Sequence, residues 1–240
     1  MFLKISSTIT SITLESVHVY SEEYFNQFLL KSMHLKEVKI IKCFNSITKA
    51  FLKAAKDILN ILSLQIFIHF FDHHDITNLC LGFKNLKNFK NLKLHGYIFE
   101  EKILLSLLKC PLQSFSLHFD KYNVNENTLQ YLHKLEELTT FEIFCSINDK
   151  ILNSISFCQN LKILCIHNNY EENNELTLSA ILNLKRLMNL KELHLNFFND
   201  FIHLTLSIMS KNLNILTLDN SQDICDFGLI NIFKLRKLKS

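Results

Sequence analysis

A six-residue apolar beat recurs along the whole chain. At 161–166 it reads LKILCI, apolar-x-x-apolar-x-apolar. The same spacing returns in LKELHL from Leu190, LNILTL from Leu213, LTTFEI from Leu138, LQSFSL from Leu112 and FKNLKL from Phe89. Weaker copies start at Ile61, Leu35 and Ile9, and successive starts are separated by 23 to 29 residues. Such a pattern narrows the choice of fold. One beat is a single short strand plus a return segment and cannot bury its apolar side alone, so consecutive copies must stack. The expected architecture is an α/β solenoid with parallel strands on one wall and helices on the other. A helix is wider than the strand spacing, so the stack bends into a horseshoe. About nine repeats fill residues 1–240 as one domain, and no linker composition interrupts them.

Alternation within each beat sends Leu161, Leu164 and Ile166 inward. Between beats the apolar spacing becomes helical: Ile47, Phe51, Ala54, Ala55 and Ile58 share one stripe, as do Leu129, Leu132 and Leu135, and Ile151, Leu152 and Ile155. The polar stretches DKYNVNEN at 120–127 and NNYEENNELT at 168–177 read as surface turns. At the end of the chain, DICDFGLINIFKL reads as the ninth helix. LRKL then restarts the beat at Leu235 as a C-terminal half-repeat, either a lid over the core or a docking edge.

These motifs resemble those of the leucine-rich repeat proteins, and within them the ribonuclease-inhibitor-like and cysteine-containing types. The element ICDFGL from Ile224 is similar to the helix start of the cysteine-containing type. The run NDKILNSISFCQNLKILCI at 148–166 is similar both to that start and to its Cys-x-x-Leu lead into the next strand. At the site where the family places an Asn or Cys to bond the turn backbone, this chain has Cys43 and Asn169 but Val17, His69, Tyr97, Asp120, Ser146, Phe198 and Ser221 elsewhere. The resemblance implies kinship with substrate receptors of ubiquitin ligases, which carry an F-box ahead of the repeats. Eight residues precede Ile9, too few for an F-box, so the expectation for a ligase-linked chain is that it binds another subunit or is a repeat-only relative.

Composition excludes several other classes. Net charge is +3, from 26 basic and 23 acidic residues, which is too even for a phosphate-binding stripe. All the basic residues but Arg186 and Arg236 are Lys. Lys, Asn, Ile and Phe share AT-rich codons, so the lysines carry no nucleic-acid reading. The seven cysteines are odd in number and none forms C-x-x-C, the usage of reduced thiols in the cytoplasm or nucleus. No apolar run approaches the ~18 residues of a membrane span, and the first twenty residues lack a signal-peptide core.

No catalytic residue, cofactor or metal is expected. The only glycines are Gly82, Gly96 and Gly228, so there is no phosphate-binding loop. The run HFFDHHD at 69–75 gathers His69, His73, His74, Asp72 and Asp75, yet no distant Cys or His completes a zinc set. It reads as a polar turn with Asp75 capping the following helix. The functional candidates are instead the third, fifth, seventh and eighth residues of each beat, which are expected on the concave wall. The larger ones are Phe67, His95, His118, Phe119, Phe144, His167, His194 and Phe197, with Lys39, Lys93, Glu142 and Glu192 supplying charge. Aromatic groups dominate protein–protein hot spots, and His95 should neighbour His118 on adjacent strands. The expected function is an intracellular protein–protein scaffold or adaptor binding a protein partner on that wall, including a ubiquitin-ligase-type recognition module. Two other readings stay open: a structural subunit of a large assembly such as a ribonucleoprotein, touching nucleic acid only indirectly, or a regulator of small GTPases.

Overall fold

The structure, a computed structural model, describes residues 8–18, 21–43, 45–55, 60–68, 73–96, 99–119, 128–168, 176–196, 212–219, 230, 235 and 237–238. The chain falls into two compact units, Met1–His118 and Phe119–Ser240. In the first, strands β1 (Ser11–Glu15), β2 (Glu37–Ile41), β3 (Ser63–Ile68), β4 (Asn91–Gly96) and β5 (Ser114–Phe119) follow one another across the sheet in chain order. Helices α1 (Glu22–Lys31), α2 (Asn45–Ala55), α3 (His73–Asn85) and α4 (Glu101–Leu107) alternate with them. In the second unit β6 (Thr140–Cys145), β7 (Ile163–Asn168), β8 (Glu192–Asn196) and β9 (Ile215–Asp219) do the same, with helices α5 (Asp149–Ser156) and α6 (Leu178–Asn183) between strands. The strand pairs β1–β2, β2–β3, β3–β4, β6–β7, β7–β8 and β8–β9 are all parallel. Each unit thus has the stacked α/β repeat architecture that the apolar beat predicts. The fifth repeat departs from the helical expectation: Thr128–Lys134 winds as a 3-10 helix, with Leu129 and Leu132 still buried.

Register is held at the start of each strand. The carbonyl of the second residue of one beat accepts the N–H groups of the second and third residues of the next: Thr10 from Lys36 and Glu37, Lys36 from Leu62 and Ser63, Lys162 from Lys191 and Glu192. This forces equivalent residues into line. The first, fourth and sixth positions of each beat then stack into apolar columns, and Leu161, Leu164 and Ile166 are each fully buried. Ile47, Phe51 and Ala54 close the core from α2, as do Ile151, Leu152 and Ile155 from α5. Phe fills much of the first unit's core, where Phe83 stacks on Phe89 at 5.6 Å and Phe99 meets Phe115 at 6.1 Å. Among the described residues, no helix is long and apolar enough to cross a membrane.

Polar side chains tie neighbouring repeats together. An Asn directly before the first residue of a beat donates to a backbone carbonyl one repeat earlier: Asn60 to Met33 at 2.9 Å, Asn160 to Glu136 at 2.7 Å, Asn189 to Gln159 at 2.9 Å and Asn212 to Met188 at 3.4 Å. The acceptor always lies two residues before its own beat. At the far end of the strands, the Cys43 thiol donates to the carbonyl of Leu14 at 3.3 Å, as the resemblance implies. Asn169 lies outside the described residues; the buried Asn168 makes the corresponding link, its Oδ1 accepting the Ile147 N–H at 2.9 Å. Cys110, ahead of β5, reaches the Phe83 carbonyl at 3.2 Å. Ser21, Asn148 and Thr177 cap α1, α5 and α6 with side-chain oxygens. Asp149 accepts from both the N–H and the hydroxyl of Thr177, joining the starts of two successive helices.

Two expectations about positions are corrected. Helix α3 begins at His73, so Asp75 lies inside its first turn and is not the cap; His69 and Asp72 lie outside the described residues. The final beat does not restart at Leu235. The Leu238 N–H bonds the Leu235 carbonyl at 3.3 Å. The same turn runs from Leu190 to Leu187 and from Leu138 to Leu135, in each case just before a strand. Leu238 is therefore the first position of the beat, and Leu235 belongs to the lead-in. Lys237, where other repeats carry the bridging Asn, donates to the side-chain oxygen of Asn212 at 2.9 Å and continues the inter-repeat link.

Candidate functional site

The third, fifth and seventh residues of each beat point away from the core, so each unit presents three rows of side chains across its strands. In the first unit the fifth-position row runs Thr13, Lys39, Gln65, Lys93 and the seventh pairs Phe67 with His95. In the second unit the fifth-position row is Glu142, Cys165, His194, Thr217 and the seventh is Phe144, His167, Asn196, Asp219. Parallel strands lie about 4.8 Å apart, so flat side chains in one row are driven face to face. Phe67 stacks on His95 with centroids 4.3 Å apart and planes 5° from parallel. His95 continues to His118 at 4.2 Å, tilted by 47°. Phe144 lies on His167 at 3.7 Å and 2°.

The sequence-predicted residues divide accordingly. Phe67, His95 and His118 form one half-buried stack, and Phe144 and His167 form another. His194 stands in the neighbouring row, its Nδ1 2.9 Å from the Thr217 hydroxyl and its Nε2 3.9 Å from Glu192. Phe197 lies outside the described residues. Phe119 is corrected: it is 2% exposed and belongs to the core. The eighth position has two fates. Where the backbone turns left-handed there, at Ser16 (φ 53°) and Lys42 (φ 49°), the strand has ended and the side chain is exposed. Where the strand continues, alternation turns the eighth residue inward, as at Phe119, Cys145 and Asn168.

The rows bring one thiol beside an imidazole. Cys165 and His194 are register partners on β7 and β8, the arrangement from which a thiolate nucleophile can be made. Here burial pushes the Cys165 thiol up to about 11, and the charges of Glu142 and Glu192 push in the same direction. A nucleophile needs the opposite shift. Burial also raises the thiols of Cys110 to about 11 and of Cys145 and Cys158 to about 12. Among the described residues no group of three or more His, Cys, Asp or Glu is placed to hold a metal ion. Outside the sheet, Phe157 is half exposed between His133 at 6.3 Å and the Arg186 guanidinium at 4.9 Å. The positional rule also covers Cys165 and Thr217, as fifth residues, and Asp219, as a seventh, although the candidates named from the sequence were only the larger side chains.

Neither a family model nor a curated protein matches the chain. Solved structures do match, and they are leucine-rich repeat folds. The leucine-rich repeat-containing protein LegL7 from Legionella pneumophila superposes with a TM-score of 0.56 at 15% identity, over 98% of this chain and 83% of that one. Rad7, solved in complex with Elc1 in yeast, gives a TM-score of 0.60 at 18% identity, over 99% of this chain and 67% of that one. TLR13, solved in complex with ssRNA13, gives 0.60 at 14% identity, over 91% of this chain and 30% of that one. The protein has the leucine-rich repeat fold; identities this low speak for the fold alone.

Proposed function

We propose that the chain is a protein-interaction scaffold that docks a protein partner on the outward sheet face, in the manner of a substrate-recognition adaptor of ubiquitin-ligase type. The observation that carries this reading is the Phe144–His167 stack at 3.7 Å, with Asn196 and Asp219 continuing the same row. Rings held by a stack lose little side-chain freedom when a partner lands on their edges, which lowers the entropic cost of association. The same structural class includes a protein solved in complex with another protein, Rad7 with Elc1.

The test is affinity capture of the full chain from its native cell, followed by mass spectrometry, beside the double variant Phe144→Ala/His167→Ala. Loss of the captured partner with a melting temperature within about 3 °C of the native chain is expected, since half-exposed substitutions away from the core cost little. Unchanged capture would retire the sheet face as the docking surface. Recovery at fixed stoichiometry within a large particle, unaffected by the variant, would point to the structural-subunit alternative.

A further inference from the structure

We infer that the outward sheet face of the second unit takes an extended cationic segment of a protein partner, with arginine side chains laid against Phe144 and His167 and held by Glu142, Glu192 and Asp219. This deepens the scaffold reading and rests on it. The argument begins with sign. Of the twelve outward residues on β6–β9, Glu142, Glu192 and Asp219 are acidic and none is Lys or Arg. The lysines of this region, Lys162 and Lys191, stand one residue ahead of β7 and β8, at the strand starts and exposed. The first unit's face has no such bias, because Lys39 and Lys93 share it with Glu15 and Glu37.

Geometry then narrows the cation. The three carboxylates sit on β6, β8 and β9, one in each of the three rows, so they are spread across the face beside the ring stack instead of forming a single knot. Glu142 and Glu192 flank the Cys165 strand from β6 and β8, so two of the three carboxylates stand on either side of the middle of the face. A guanidinium suits this layout. It is flat, lies against aromatic and imidazole faces or edges, and forks its N–H groups toward carboxylates. A nucleic acid does not suit it, because its phosphates would meet three negative charges.

The experiment is fluorescence anisotropy on the full chain with two synthetic ten-residue probes, one alternating Arg and Ser and one alternating Glu and Ser, plus an oligo-dT strand. The Arg–Ser probe is expected to bind and the other two not, with affinity falling as salt rises. The isosteric variant Glu142→Gln/Glu192→Gln/Asp219→Asn is expected to weaken binding about tenfold. Glu136→Gln/Glu137→Gln, which removes charge from an exposed turn, is expected to leave it unchanged. Equal binding by the triple variant, or preference for the Glu–Ser probe or oligo-dT, overturns the inference. Native-cell capture separates the two levels. If the triple variant keeps its partner and Phe144→Ala/His167→Ala loses it, only the cationic partner is wrong. If both variants keep the partner, the docking face is wrong as well.

Discussion

Replacing Asn168 by Ala tests how the repeats are held in register. Asn168 is 7% exposed, and its Oδ1 accepts the N–H of Ile147 at 2.9 Å from the preceding repeat. Ile147 is itself fully buried. Removing the acceptor strands an N–H out of reach of water, which costs about 1–3 kcal/mol. For a chain of this size, about 2 kcal/mol corresponds to a melting temperature lower by about 4–8 °C. Asn160 is the internal comparison: it bridges repeats through the Glu136 carbonyl at 2.7 Å, but at an exposed site. Water replaces that bond, so Asn160→Ala is expected to cost less than about 1 kcal/mol. Asn168→Leu has similar volume and no acceptor, and so separates the lost bond from a cavity. Urea denaturation gives the free energies, and hydrogen exchange at the Ile147 amide reads the bond directly. Equal losses for Asn168→Ala and Asn160→Ala, or full stability in Asn168→Leu, would refute the reasoning.

Two further outcomes follow from burial. Leu164→Ala removes a fully buried side chain from the centre of an apolar column and is expected to lower stability by about 2–5 kcal/mol in urea denaturation. The Cys145 and Cys158 thiols, raised by burial from 9.0 to about 12, are expected to resist iodoacetamide at pH 8 in the native chain and to react once it is unfolded. Because their folded values are raised, their contribution is complete below pH 9 and is lost as pH climbs toward 12. Cys145→Ala/Cys158→Ala is therefore expected to melt with a shallower alkaline decline than the native chain.

Much of this was legible because it is periodic. A beat whose first, fourth and sixth residues are apolar states where the strands are, which residues stack in the core, and that Phe67, His95, Phe144 and His167 leave it. The bridging role of Asn60, Asn160, Asn189 and Asn212 was not read from the sequence: each precedes a beat, but an Asn-rich composition hides a positional signal. The place of Leu235 was not legible. An L-x-x-L spacing serves equally as the opening of a beat or as the turn before it, and only the bond from Leu238 back to Leu235 separates the two.

Side-chain order alone therefore settles the solenoid: apolar spacing dictates which atoms must escape water, and stacked copies are the one arrangement that lets them. The make-up of the exposed face was decided at another level. Whether an eighth residue ends outside like Lys42 or inside like Phe119 depends on whether the backbone turns left-handed at that point. Whether two rings one repeat apart in sequence, such as Phe144 and His167, become one stack depends on parallel register. Both are properties of hydrogen bonds between distant segments, and a linear pattern of polar and apolar residues does not encode them.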